Sequence, residues 1–170
     1  MKIGRLIVRL VIGGLFIGHG TQKLYGWFGG PGPAGTEQMM QGLNMHPPRR
    51  NALAAGATET AGGALLAAGL ATPVAAAGLI GVMITAIRTV HLPNGPWNAE
   101  GGYEYNLVLI AALLALVDGG PGELSVDGAL GIHDTGPLWA LAALAAGAAA
   151  STATVELGHR NAQQAKLHAA

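Results

Sequence analysis

The chain has 170 residues, of which 51% are hydrophobic and only 11% are charged. An ordinary soluble domain carries about 25% charged residues, so this composition predicts an integral membrane protein. The nine basic residues are balanced by nine acidic ones and form no basic stripe, which argues against a nucleic-acid partner. Cysteine is absent, which excludes disulfides, thiolate nucleophiles, iron-sulfur clusters and zinc-thiolate sites. Redox chemistry would therefore need a bound cofactor or a partner protein.

The first residues have the charge pattern of a signal peptide. Lys2, Arg5 and Arg9 precede the apolar segment 10–18. No small-x-small cleavage site follows, because polar residues begin at His19, so we expect this segment to be retained as the first membrane span.

Five apolar segments predict five membrane-spanning helices, since a span needs about 20 mainly apolar residues. They cover residues 6–24, 52–70, 74–89, 103–117 and 138–157. The link between the second and third is too short for anything but an antiparallel hairpin. The fifth is nearly all alanine, which is barely favourable for insertion. The predicted fold is therefore all-α: a polytopic transmembrane helix bundle of four core spans with an additional C-terminal helix.

The connection between the first two spans, residues 25–50, predicts a short helix over one end of the bundle. A Gly/Pro-rich turn is followed by Thr36, a potential N-cap residue, and then by Met39, Met40 and Leu43. The alternative is a flexible loop, because the segment is rich in Gly and Pro.

Glu59 is the main candidate for a functional residue, because it is the only charge between residues 51 and 87. A charge at membrane depth is expensive and usually functional. Antiparallel alternation places most other intramembrane polar groups at the same end of the bundle, where the first span finishes and the second begins. We call this the mouth end. The candidate site residues there are His19, Lys23, Glu59, Arg88, His91, Tyr103 and Glu104.

Unpaired ions in hydrocarbon must neutralise or find partners, so Glu59 is expected to pair with Arg88 or with Lys23. An ionised Glu59 could orient a ligand, and a protonated one could carry a proton. The alternative is that a Glu59–Arg88 pair only fixes helix register. A metal site built from His19, His91 and either Glu59 or Glu104 is a further alternative, but no spacing typical of metal ligands supports it.

The opposite end, which we call the far end, has the features of structural turn chemistry. Asp118 is followed by a Gly/Pro-rich turn at 119–122. Ser125 and Asp127 follow and are expected to bond free backbone amides around this turn.

The chain resembles the DoxX-like family of small bacterial membrane proteins. The resemblance is carried by Arg5, Gly18, Lys23 and Leu24, by ETAGG at 59–63, RTVH at 88–91, YEYN at 103–106, GPG at 120–122, Ser125 and Asp127. It implies a four-helix membrane domain over residues 1–130, with residues 131–170 as an added apolar helix and polar tail. It also implies a multi-pass protein of the bacterial inner membrane, grouped with terminal-oxidase and thiosulfate:quinone oxidoreductase subunits and linked to redox or oxidative-stress functions.

Three functions remain open at this stage. In a quinone-linked redox subunit, Glu59, Arg88 and His91 would carry the chemistry, and the quinone would be held by His19, Lys23, Tyr103 and Glu104. In a non-enzymatic scaffold, the protein would dock a peripheral redox enzyme and the polar cluster would serve helix packing. A small-molecule or proton-coupled transporter would require a homo-oligomer, because one short bundle leaves little room for alternating access.

Overall fold

The computed structural model describes residues 3–169, so Lys2 lies outside the described residues. Every regular element within this range is helical, which confirms the predicted all-α class. The α-helices are α1 (Ile3–Tyr25), α2 (Gly32–Gly42), α3 (Pro48–Ala68), α4 (Thr72–Ala86), α5 (Glu104–Gly119), α6 (Val126–Ala129) and α7 (Pro137–Ala169). α4 continues through a π-helical turn, Ile87–His91, and a 3-10 turn, Leu92–Asn94.

Within the described part of the chain, three helices are long and apolar enough to cross a membrane: Ile3–Tyr25, Thr72–Asn94 and Pro137–His168. The predicted second span forms α3, which has 21 residues but carries Glu59 and two arginines. The predicted fourth span forms α5, whose 16 residues reach only about 24 Å, less than the roughly 30 Å of a hydrocarbon core. Both pack within the bundle. The predicted C-terminal helix is α7, and its 33 residues reach about 50 Å.

Glycines allow α1 and α3 to cross closely. A methyl group added at Gly13 would lie 2.6 Å from the Gly63 carbonyl oxygen, and one at Gly20 would lie 2.6 Å from the Gly56 carbonyl oxygen. Where lipid supplies no hydrophobic drive for association, such close approach lets helices gain van der Waals contact. Phe16 of α1 fills the adjacent core and is 1% exposed.

The predicted hairpin between the second and third spans is confirmed. α3 ends at Gly69, which has a left-handed φ of +65°, and Ala71 has a φ of +47°. Asp127 then caps the start of α4: its carboxylate accepts hydrogen bonds from the backbone N–H of Ala71 at 2.8 Å and of Thr72 at 3.1 Å. Asp127 thus bonds free backbone amides, but they belong to the α3–α4 hairpin and not to the turn at 119–122, around which they were expected. Ser125 also accepts a backbone hydrogen bond, from the N–H of Gly128 at 3.0 Å.

The predicted helix between the first two spans is confirmed as α2, which packs on α1 and α3. The prediction that Thr36 is its N-cap residue is wrong. Helix α2 begins at Gly32, because Pro33 in the first turn fixes a helical φ there. Thr36 is instead buried inside the helix, and its hydroxyl donates to the Gly32 carbonyl at 2.7 Å.

Helix α7 packs mainly on α4 and runs in the same direction. Gly147 lies against Gly81, and four residues later along both helices the Ser151 and Thr85 hydroxyls are 3.0 Å apart. The C-terminal half of α7 therefore reaches the mouth end, where α4 also finishes.

Candidate functional site

A cavity of about 400 Å³ lies at the mouth end. Helices α3, α4 and α7 form its walls, while α2, the corner that follows it and Lys23 of α1 complete the lining. Most lining side chains are small or apolar. The polar ones include Lys23, Asn51, Thr58, Glu59, His91 and Thr154. Its size falls within the range of roughly 300–1,000 Å³ typical of small-molecule sites.

Lys23 and Glu59 form an ion pair in the wall of this cavity. The Lys23 Nζ atom lies 2.6 Å from Glu59 Oε2, and the two side chains are 20% and 4% exposed. The Glu59–Lys23 contact predicted as one of two alternatives is therefore formed. Side chains on a helix lean toward its N-terminus, so Lys23 near the end of α1 points into the bundle while Glu59 points back toward the mouth end. The two groups meet between helices that their glycines bring close together.

This ion pair keeps hydrogen-bonding capacity that the protein does not use. Lys23 has three N–H donors: one bonds Glu59, and a second faces the His19 carbonyl at 3.5 Å. Within residues 3–169 the third has no protein acceptor. Glu59 Oε1 likewise has no donor there, yet no fully buried polar side-chain atom in the described range lacks a partner. Oε1 must therefore face open space, and the cavity is the space that Glu59 lines.

His91 lines the cavity at the end of α4. Its Nδ1 lies 2.7 Å from the Gly101 carbonyl oxygen. A carbonyl can only accept, so Nδ1 carries the proton, and a neutral ring leaves Nε2 as an acceptor. The cavity thus offers a cation and a carboxylate on one wall and an imidazole at the end of α4.

The predicted contact between Glu59 and Arg88 is not formed. Arg88 follows Thr85 by one helical turn and shares its α7-facing side, so it contacts α7 instead. The guanidinium lies 3.3 Å from the Thr152 hydroxyl and 3.6 Å from Glu156 Oε1. Arg88 does not line the cavity.

Three other candidate residues also lie outside the cavity lining. His19 is exposed on α1. Tyr103 and Glu104 are half-buried at the start of α5. The loop before α5 folds onto itself: Glu104 Oε1 accepts from the Asn98 N–H at 2.9 Å, and Tyr103 N–H bonds the Gly95 carbonyl at 3.2 Å. This local bonding keeps the polar start of α5 away from Glu59.

Helix α7 supplies the wall that sequence reasoning assigned to α5. Ala150, Ser151 and Thr154 all line the cavity. The sequence feature that could have indicated this wall is the hydroxyl-rich run at 151–154, which interrupts an otherwise alanine-rich helix. Within residues 3–169 no group of three or more His, Asp or Glu side chains is placed to hold a metal ion.

Arg9 is the charged residue whose role the sequence did not reveal. It is 2% exposed, and its guanidinium donates to the carbonyls of Ala67 at 3.1 Å, Pro121 at 2.6 Å and Leu124 at 2.7 Å. Arg9 therefore ties α1 to α3 and to the loop that follows α5 at the far end.

A protein-family model, DoxX, matches residues 4–92, just over half of the chain. The match covers α1 to α4 and ends directly after His91. Helices α5 to α7, including the α7 wall of the cavity, lie outside it. Neither a curated protein nor a solved structure matches the chain.

Proposed function

The chain belongs to the DoxX family of membrane proteins, and from this premise we propose that it is a quinone-binding redox subunit of the bacterial inner membrane. In this proposal the quinone head group lies against Lys23 and Glu59, and these residues hold the ring and exchange protons with it. Electrons come from a redox centre of a peripheral partner enzyme at the mouth end.

One observation carries the proposal: an ion pair in the wall of a mainly apolar cavity leaves one donor and one acceptor open. A quinone carbonyl accepts a hydrogen bond, and the hydroxyl of the reduced form donates one. The third N–H of Lys23 can donate to the quinone carbonyl, and Glu59 Oε1 can accept from the hydroxyl of the reduced form. The apolar remainder of the cavity suits a ring, since small-molecule sites combine apolar walls with a few placed polar groups.

Quinone reduction takes up two electrons and two protons. The Lys23 ammonium attracts developing negative charge at the ring oxygen. The Glu59 carboxylate takes up a proton from water and passes it to that oxygen through its open Oε1, once for each of the two protons. His91, which also lines the cavity, can take up and return a proton at Nε2, because its Nδ1 is engaged by the Gly101 carbonyl. Arg88, His19, Tyr103 and Glu104 take no part in this site, because none of them lines the cavity.

The test is equilibrium binding of a decyl-substituted benzoquinone to the purified protein in lipid nanodiscs. Wild type should bind it in both the oxidised and the reduced form, and Glu59→Gln should weaken binding of the reduced form, whose hydroxyl donates to Oε1, by at least about tenfold, the effect of losing a hydrogen bond to a charged group. Arg88→Gln is the matched control, because it removes a charge at the same end outside the cavity. No binding by wild type, or equal binding by Glu59→Gln and wild type, contradicts the proposal.

A further inference from the structure

The cavity is open on the side between α3 and α7. Ala54 of α3 and both Ala150 and Thr154 of α7 line it, and all three are exposed. Both helices pack on α4, which forms the floor between them. We call this opening, rimmed by Ala54, Ala150 and Thr154, the side window.

A bridge between the α2–α3 corner and α7 covers part of the mouth end of the cavity. Met45 lines the cavity, is 2% exposed and packs against Gly158, where an added methyl group would lie 3.1 Å from its sulfur. His46 N–H donates to the Gly158 carbonyl at 3.2 Å, and the Asn161 side chain donates to the His46 carbonyl at 3.2 Å. A ligand that enters between the α2–α3 corner and α7 would have to break these contacts.

The cavity is elongated along α4. Its lining residues on that helix run from Gly78 to His91, a rise of about 20 Å at 1.5 Å per residue. This is longer than a single ring requires. Gly78 and Gly81 line the floor at the end farthest from His91. Both α4 and α7 belong to helices that can cross a membrane.

We propose that the ligand enters sideways from the bilayer through the side window and keeps an apolar chain in it while its ring lies at the Lys23–Glu59 pair. This inference rests on the proposed function and narrows its substrate class to membrane-dissolved quinones with a long tail. It also makes α7, which lies beyond residues 4–92, a determinant of which ligand binds.

The first test asks whether the window faces lipid, without any quinone. The chain has no cysteine, so a single cysteine at Ala54 or Ala150 can carry a spin label. In nanodiscs both labels should collide with dissolved oxygen several-fold more often than with a water-soluble nickel chelate. Preference for the nickel chelate at both positions overturns the side window.

The second test separates the tail from the ring. Ala150→Trp and Ala54→Trp should block the window and weaken binding of the decyl-substituted benzoquinone about tenfold. Binding of the same ring without a chain should change by less than about twofold. The matched controls are Ala149→Trp and Ala57→Trp, exposed positions on the same helices outside the cavity lining.

Three outcomes decide between the claims. If the window variants and their controls bind the decyl compound equally, the tail does not lie in the window and the inference fails. If the window variants lose both compounds equally, tryptophan has disturbed the ring site and the tail assignment fails. If wild type binds neither compound, the proposed function fails, and the spin-label result alone decides whether the window opens to lipid.

Discussion

The two ends of the bundle both bury charge, but they satisfy it differently. At the far end, Arg9 donates to three carbonyls and Asp127 accepts from two backbone amides and the Thr72 hydroxyl. At the mouth end, Lys23 and Glu59 bond each other, and one donor of Lys23 and one acceptor of Glu59 have no protein partner within residues 3–169. The comparison teaches that burial of a charge does not by itself indicate function. What distinguishes the mouth end is the hydrogen-bonding capacity of the Lys23–Glu59 pair that the protein leaves unused.

The largest effect is expected at Arg9. Arg9→Met leaves three carbonyls without their donor, one of them at a fully buried contact, and should lower the free energy of unfolding by about 3–5 kcal/mol. Unfolding in mixed detergent micelles measures this. Arg50→Met, at an exposed position of α3, is the control and should have little effect. Equal stability of the two variants would show that the far end does not depend on Arg9.

Lys23→Met should cause the second-largest loss of unfolding free energy. It leaves the Glu59 carboxylate without its cation, which lowers unfolding free energy by up to about 3 kcal/mol. The loss is smaller than at Arg9 because the open oxygen of Glu59 can reach the cavity. In the same unfolding measurement, the double variant Lys23→Met with Glu59→Leu should recover most of this stability. Failure to recover would mean that the pair is needed for packing itself.

Gly20→Ala should have an intermediate effect that links packing to the site. The new methyl group would lie 2.6 Å from the Gly56 carbonyl oxygen and push α1 away from α3. A loss of about 1–3 kcal/mol is expected from overpacking, together with weaker quinone binding, because Lys23 moves with α1. Gly14→Ala is the control, since nothing lies within 4 Å of that position. Identical unfolding curves for the two variants would contradict the close crossing.

Arg88→Gln should have the smallest effect. Its partner Glu156 is 54% exposed, and exposed ion pairs contribute at most about 1 kcal/mol. Both stability and quinone affinity should stay close to wild type. A large loss of quinone affinity would show that Arg88 contacts the ligand, and the mouth end would then have to be arranged differently.

The sequence predicts the bundle well because membrane insertion depends on simple quantities. Apolar length, the short hairpin link and the Gly-rich crossings are all local patterns, and α1 to α4 and α7 follow from them. The Lys23–Glu59 contact was one of two predicted pairs. Lys23 and not Arg88 is the partner because Arg88 faces α7, and periodicity alone does not fix which side of α4 packs on α7.

The site walls were harder to predict because they depend on packing between distant segments. The polar start of α5 was expected at the cavity, but the preceding loop binds Glu104 through the Asn98 N–H. Helix α7 takes that place because Gly147 lets it lie against Gly81. The role of Arg9 was missed for a related reason. A basic residue near a chain start also fits a retained signal-like segment, and two of its three acceptors come from the distant folded turn at 119–124.

The most direct test of the central claim is quinone binding by the double variant Lys23→Met with Glu59→Leu, measured on protein whose stability in nanodiscs matches wild type. The account predicts a folded bundle that no longer binds the decyl-substituted benzoquinone. Unchanged affinity in that folded variant would contradict it, and would reduce the ion pair to a packing element like the charges at the far end.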